Sequence, residues 1–469
     1  MTMGNSAQGD PDEGRRHHII RMLLGNIGGT LRPENVSTKQ EQIAKLARNN
    51  PSKVFTSLNQ YINYDWMLRA YELTRKDGAV GIDGQTSQEY ALKLEDNLKS
   101  LMHRMKSGKY KAPSIRRAYI PKPDGSKRPL GISTFEDKIA QRAIVMLLEP
   151  IYEQTFKNFS FGFRPKKSAH EALRHLRNNI MDRGGRWIID VDISKYFDTI
   201  NKTQLRTFLN RRVTDGVIRK LIDKWLKAGV IEGDKIHYQL TGTPQGGVAS
   251  PMLANIYLHY VLDEWYADVV EPRMEGRSSI TRFCDDFVMV FENYNDCIRV
   301  FRVLGERLNK FGLSLHADKT CIVDFRFKRS QHDKSQKPTT FKFLGFIHLW
   351  KKSIKGKFVV LQRTAKERLA KAISEINEYC RANRHKPLPE QHQKLSRKLR
   401  GHYAYFGITG NHKSLRSLVH QVERIWRKWL SRRSRKSKIY WDKFRDVLKK
   451  LPLPKPRVYH QYCVGERNL

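Results

Sequence analysis

In the run Thr281-Arg282-Phe283-Cys284-Asp285-Asp286-Phe287-Val288-Met289-Val290-Phe291, apolar and β-branched residues flank two adjacent aspartates. That pattern reads as a β-hairpin with the carboxylates at its tight turn. Upstream lies Arg186-Trp187-Ile188-Ile189-Asp190-Val191-Asp192-Ile193-Ser194-Lys195-Tyr196-Phe197-Asp198. It reads as a strand ending at Asp192 and leading into a short helical turn. Three carboxylates brought together offer the oxygen ligands that hard divalent cations take. Two such ions about 4 Å apart clamp the attacking and leaving oxygens of an in-line phosphoryl transfer. A lone Asp-Asp pair is more often a solvated turn. Strand-forming flanks and a second strand-Asp-x-x-x-x-Phe upstream favour the chemical reading.

Charge points to the partner. The 469 residues carry 88 Lys and Arg against 47 Asp and Glu, a formal net charge of +41. Self-repulsion on that scale opposes compactness unless a polyanion screens it. Nucleic acid is therefore the expected partner, held less tightly as salt rises. No amphipathic anchor stands out, and no apolar run approaches the roughly 20 residues that span a bilayer, so no membrane is expected. The N-terminal residues lack the basic start and apolar centre of a secretion signal. Five scattered cysteines without a C-x-x-C pair argue against a zinc module and a disulfide framework. A soluble protein of a reduced cytoplasm, bacterial by preference, fits these features.

Other elements must carry the aspartates. Helical periodicity runs from Thr38 to Arg75, a glycine-rich turn surrounds Ile82-Asp83, and a helix follows around Glu89–Lys106. Ala118 to Ile132 reads as two strands joined by a Pro-Asp-Gly turn, with Lys122, Lys127 and Arg128 near its tip. Those cations fit either a solvated edge or a site facing a triphosphate, where they would neutralise charge building in the transition state. Helices are expected over 134–158, from Ser168 to Arg177, and after the 187–192 strand through Leu226. The Gly/Pro-rich loop Thr241–Pro251 precedes a helix from Met252 to about Val270, and its glycines let backbone approach a base pair closely. A helix over Asn295–Phe311, a strand over Cys321–Phe327 and a short strand pair over 341–346 complete an α+β layer spanning 118–347. From Thr364 to Arg433 the pattern turns helical. Arg424 to Lys438 holds eight basic residues in fifteen, no acidic ones and two tryptophans. An RNA-gripping helix explains that run better than a solvated face, which would mix in acidic residues.

The order Tyr-Ile-Pro-Lys-Pro-Asp-Gly, Arg-Pro-Leu-Gly-Ile, Phe-Gly-Phe-Arg-Pro, Asp-x-x-x-x-Phe-Asp, Thr-Pro-Gln-Gly-Gly-x-x-Ser-Pro-x-Leu-Ala-Asn-Ile-Tyr-Leu, Phe-Cys-Asp-Asp and Phe-Leu-Gly-Phe resembles the reverse transcriptases encoded by group II introns. Thr243–Leu258 is its most specific part, and the likeness covers about residues 38–460. It implies an α+β right-hand polymerase of fingers, palm and thumb. Residues 1–37 would be disordered or irregular, 38–112 a helical N-terminal extension of the fingers, and 113–347 fingers and palm. Residues 348–440 would form a helical thumb and maturase region, leaving 441–469 as a short tail without an endonuclease module.

The resemblance also implies roles. Asp192, Asp285 and Asp286 would bind two Mg²⁺ ions, with Mn²⁺ a possible substitute, and the Ile193 carbonyl would be an extra ligand. Lys122 and Arg128 would hold the incoming triphosphate, Phe197 would lie under the sugar, Gln245 would line the nucleotide pocket, and Lys319 would have a lesser part. Arg424, Arg427, Lys428, Arg432 and Arg433 would grip RNA. Expected partners are group II intron RNA as template and ribozyme, a DNA target and primer, and dNTPs. One departure is Phe283-Cys284 in place of the family's Tyr-Ala, which sets a larger residue beside the expected primer end. Rival readings are a domesticated reverse transcriptase in phage defence or repair, and a splicing cofactor with an unused polymerase site.

Overall fold

The computed structural model describes residues 33–121, 127–182, 184–232, 235–237, 241–242, 246–326, 339–353, 356–434 and 438–462. Lys122, Gln245, the Pro-Asp-Gly turn, residues 1–32, the 435–437 part of the basic run and Cys463 lie outside them. Helices α1 (Pro33–Asn49), α2 (Tyr64–Leu73), α3 (Ser87–Ala91) and α4 (Leu94–Lys106) come first. The Asn63 side chain caps α2 by accepting from the Trp66 amide, and Thr86 with Glu89 forms a capping box on α3. Strands β1 (Ile115–Pro121) and β2 (Lys127–Ile132) pair antiparallel. Helix α5 (Phe135–Tyr152) is buried on most of its sides, the polar Asp137 and Gln141 included, because other elements pack around it. Helix α1 buries Val36, Ile43 and Ala47, and its Gln40 side chain donates to the Met146 carbonyl on α5.

Helix α6 (Ala169–Asp182), strand β3 (Trp187–Asp192) and helices α7 (Tyr196–Thr199), α8 (Lys202–Asn210) and α9 (Gly216–Lys227) follow. A small hairpin, β4 (Val230–Glu232) with β5 (Lys235–His237), extends the first sheet to the order β2-β1-β4-β5. The sequence reading did not include it. Helix α10 (Ser250–Leu258) continues into two π turns, His259–Asp263 and Tyr266–Val270, where a single regular helix was expected. Next come β6 (Ser278–Phe283), β7 (Asp286–Phe291), α11 (Tyr294–Asn309) and β8 (Cys321–Asp324), which build the central antiparallel sheet in the order β6-β7-β3-β8.

Residues of a strand alternate between its two faces, and here both faces are covered. Ile189, Val191, Phe287 and Met289 join the large core that includes α5, α10 and α11. Ile188, Val288 and Val290 join a second core with α6 and a three-stranded sheet. That sheet is β9 (Phe341–Phe343), β10 (Phe346–Lys352) and β11 (Phe358–Thr364). The long β10–β11 hairpin occupies the start of the 348–440 region, where the sequence reading named only a helical unit. Its Val360, His348 and Gln362 are buried because α6 lies against it.

Helices α12 (Lys366–Ala382), α13 (Leu388–Phe406), α14 (His412–Leu430) and α15 (Trp441–Lys450) share a third core around Leu399, Val422 and Trp426. The expected tail is thus partly a helix, because Phe444 packs edge-on against Trp426 with ring centroids 5.7 Å apart. Among the described residues, no helix is long and apolar enough to cross a membrane.

Candidate active site

Strands β6 and β7 meet at Phe283 opposite Asp286, leaving Cys284 and Asp285 as a two-residue turn. Cys284 takes φ 61°, a left-handed value that tight hairpin turns use because it matches strand twist. Three neighbours hold a side-chain-bearing residue there. Arg282 Nη1 donates to the Cys284 carbonyl at 3.0 Å and to Asn255 Oδ1 at 3.0 Å. Asn255 Nδ2 in turn donates to the Gly162 carbonyl at 2.6 Å. Gly162 lies so close to the Cys284 amide that a Cβ at this position would collide with it. The thiol of Cys284 is buried rather than presented at the surface, and burial pushes its pKa up.

Behind the turn, the Arg282 guanidinium forks onto Asp263 at 2.8 and 2.5 Å, and both side chains are fully buried. Burial opposes the guanidinium charge, but Asp263 more than offsets it and holds Arg282 protonated. The sequence reading missed this network. Its signals were an arginine inside an apolar strand, an asparagine inside an apolar helix, and an aspartate closing that helix's apolar run.

Asp192 stands directly across from Asp286 in the β3–β7 ladder. Asp190, also not foreseen as a site residue, shares the Asp192 face two positions earlier. Burial, followed by repulsion from Asp190, Asp285 and Asp192, pushes Asp286 up to about 8, against a lowering contribution from the Leu344 backbone amide. Burial and the Asp192 charge push Asp190 up to about 7. Asp285 is also raised, chiefly by burial, while Arg128 is near enough to favour its ionised form. Desolvated carboxylates that repel one another are the donor set a hard cation would satisfy. Lys319 Nζ lies 2.7 Å from Asp192 Oδ2 and serves as internal counter-ion. Among the described residues no three His, Cys, Asp or Glu side chains converge as a ready-made metal cage.

The other expected residues group around this centre in part. Ile193 is buried and bridges Leu315. Phe197 is half-buried on α7. The Thr241–Gly242 end of the Gly/Pro loop sits on the α7 carbonyls: Thr241 Oγ1 donates to the Asp198 carbonyl at 2.9 Å. A Cβ on Gly242 would come within 2.8 Å of the Phe197 carbonyl, and one on Gly246 within 2.5 Å of the Gly131 carbonyl. Hence the loop bridges α7 and β2, the strand that carries Arg128.

The basic helix divides. Arg424, Lys428 and Arg432 are exposed and continue a stripe begun by Arg416 and His420. Arg427 instead donates to the Ile439 carbonyl at 3.1 Å, and Arg433 to the Arg384 and Lys386 carbonyls at 2.6 and 2.7 Å.

A family profile described as reverse transcriptase (RNA-dependent DNA polymerase) matches residues 120–348. Protein YkfC of Escherichia coli K12 is 33% identical over 321 residues, covering 61% of this chain and 84% of YkfC. The group II intron-encoded protein LtrA of Lactococcus lactis subsp. cremoris is 40% identical over 224 residues, covering 47% of this chain but only 37% of LtrA. Nuclear intron maturase 2 of Arabidopsis thaliana is 27% identical over 206 residues, covering 39% of this chain and 27% of that protein.

Proposed function

Because the chain belongs to the group II intron reverse transcriptases and maturases, we propose that it copies its intron RNA into DNA and assists that RNA's folding and splicing. The reaction is attack by a primer 3′-hydroxyl on the α-phosphorus of a dNTP, templated by RNA, with pyrophosphate leaving. The observation that carries this reading is the register setting Asp192 opposite Asp286, with Asp285 in the adjoining turn. The printed name of LtrA, a group II intron-encoded protein, favours an intron-encoded enzyme over a domesticated one or an idle splicing cofactor.

Asp192, Asp285 and Asp286 would hold two Mg²⁺ ions, for which Mn²⁺ can substitute, with the Ile193 carbonyl as a further oxygen. Such ions supply Lewis acidity toward the α-phosphate and neutralise the leaving pyrophosphate. Lys319 pairs with the Asp192 carboxylate, which would be free to ligate an ion once that lysine turned away. Arg128, beside Asp285, steadies the triphosphate together with Lys122. Phe197 lies under the sugar, its backbone fixed by the Gly242 contact, and Gln245 on the same loop lines the base pocket.

In this reading the β6-β7-β3-β8 sheet is the palm, the β2-β1-β4-β5 sheet belongs to the fingers, and α12 to α15 form the thumb and maturase region. Residues 38–112 extend the fingers, and 113–347 make up fingers and palm. The exposed Arg424, Lys428 and Arg432 stripe grips intron RNA, while a DNA target and primer complete the partners. On this reading the protein works in a bacterial cytoplasm.

The test is primer extension on an RNA template. Asp285→Asn should abolish DNA synthesis while leaving RNA binding intact, because affinity comes from basic residues elsewhere. Near-normal synthesis by this variant would overturn the assignment.

A further inference from the structure

The segment before α6 runs beside the last residues of β6 and reaches the catalytic turn. The Arg282 amide donates to the Phe159 carbonyl at 2.9 Å, and the Phe161 amide donates to the Arg282 carbonyl at 2.9 Å. Phe161 is buried in the second core, and Gly162 packs on the Phe283–Cys284 peptide too closely to leave room for a Cβ. Arg164 is buried in turn, donating to the Glu153 carboxylate and to the Lys157 and Ser160 carbonyls. Between these anchored neighbours, Phe163 is 59% exposed and takes φ 55°. Its ring joins none of the cores formed by the described residues. Lys166 close by is also exposed and left-handed, with φ 57°.

Glycine adopts such a backbone freely, whereas an aromatic residue is strained there. A ring left in solvent adds no packing to offset that strain, so phenylalanine does not serve the free fold at this position. Strain of this kind persists where function uses it. An aromatic face with a cation beside it is how proteins hold nucleobases without reading their sequence. We propose that Phe163 is a stacking platform for a base of the primer–template duplex where that duplex meets the catalytic turn. This rests on the reading of the Cys284-Asp285 turn as part of the polymerase centre. The contact of Gly162 with the turn fixes the platform beside the aspartates, and Lys166 faces the adjoining phosphate.

The test is binding, without dNTP, of an RNA–DNA primer–template labelled with 2-aminopurine. The label stands either at the primer end or at the template base facing it. One label should change its fluorescence on binding wild type and Phe163→Trp but not Phe163→Gly, and its position tells which strand stacks. Phe163→Gly should bind about tenfold or more weakly, the loss of one base–aromatic stack. The slope of log K against log salt should stay the same, because stacking releases no counterions. The thermal midpoint of this variant should not fall, since glycine relieves the strain. Phe163→Leu keeps bulk without an aromatic face and should lose affinity to a similar degree. Wild-type affinity in both Phe163→Gly and Phe163→Leu overturns the proposal, as does a lowered midpoint with unchanged affinity, which would assign the ring to the fold. Failure of the wild type to bind the primer–template at all would instead remove the polymerase reading beneath it.

Discussion

At the scale of single residues, the catalytic turn depends on side chains that never reach solvent. Breaking a buried ion pair by removing one partner costs about 3–5 kcal/mol, because the other charge is left stranded. Arg282→Met should therefore lower stability by that order, measured by denaturant unfolding. Adding Asp263→Leu should restore much of the loss, since apolar replacement of both partners can be nearly neutral. DNA synthesis should stay low in the double variant, because the Cys284 carbonyl has still lost its donor. A double variant that polymerises at the wild-type rate would show that the turn holds its own shape. Phe197 poses a question of selectivity. If its ring fills the space of a 2′-hydroxyl, Phe197→Val should reduce the preference for dNTPs over rNTPs by about tenfold or more, read as a ratio of kcat/KM values. An unchanged ratio would assign the exclusion to another residue.

At the scale of elements, α14 shows how a charge run separates once it is folded. A stripe of Arg416, His420, Arg424 and Lys428 on the helix, continued by Arg432 in the turn after it, is exposed, whereas Arg427 and, in that turn, Arg433 are committed to backbone carbonyls. Replacing Arg424, Lys428 and Arg432 together by glutamine should flatten the dependence of RNA affinity on salt. The slope of log K against log salt should fall by up to about one per lost phosphate contact. Arg427→Gln with Arg433→Gln should leave that slope nearly unchanged and lower the thermal midpoint instead. Equal slopes for the triple variant and the wild type would mean the stripe faces only solvent.

Across the whole molecule, buried titratable groups pull in opposite directions as pH changes. Burial pushes His348 down to about 3 and His402 down to about 4. Their folded values lie below the ordinary value near 6.5, so the stability they permit is complete above it and is lost as pH falls toward 4. Asp190 and Asp286 behave in the reverse sense: raised to about 7 and about 8, they burden the metal-free fold more as pH rises from the ordinary carboxylate range. The two effects offset one another in the wild type and are separable by substitution. His348→Gln should narrow the gap to wild-type stability by about 1.4 kcal/mol per pH unit below 6.5. Parallel stability curves for the two proteins between pH 7 and 5 would contradict a neutral His348.

The apolar and β-branched runs around Asp192 and Asp285-Asp286 were enough to identify a strand and a hairpin, because strand propensity and the two-residue alternation of a strand's faces are local properties of the chain. Net charge needed no fold either, and it indicated a nucleic acid. Asp190 was within reach by the same parity, two positions before Asp192 on one face. The pairing of Asp192 with Asp286 across β3 and β7 and the Arg282–Asp263–Asn255 brace were decided only by tertiary structure. So was the β10–β11 hairpin, whose buried His348 and Gln362 carry no strand signal until α6 covers them. A polar side chain can be buried only where a distant partner satisfies it. Which carbonyl, carboxylate or amide arrives beside it depends on how far-separated segments pack, and local periodicity does not record that.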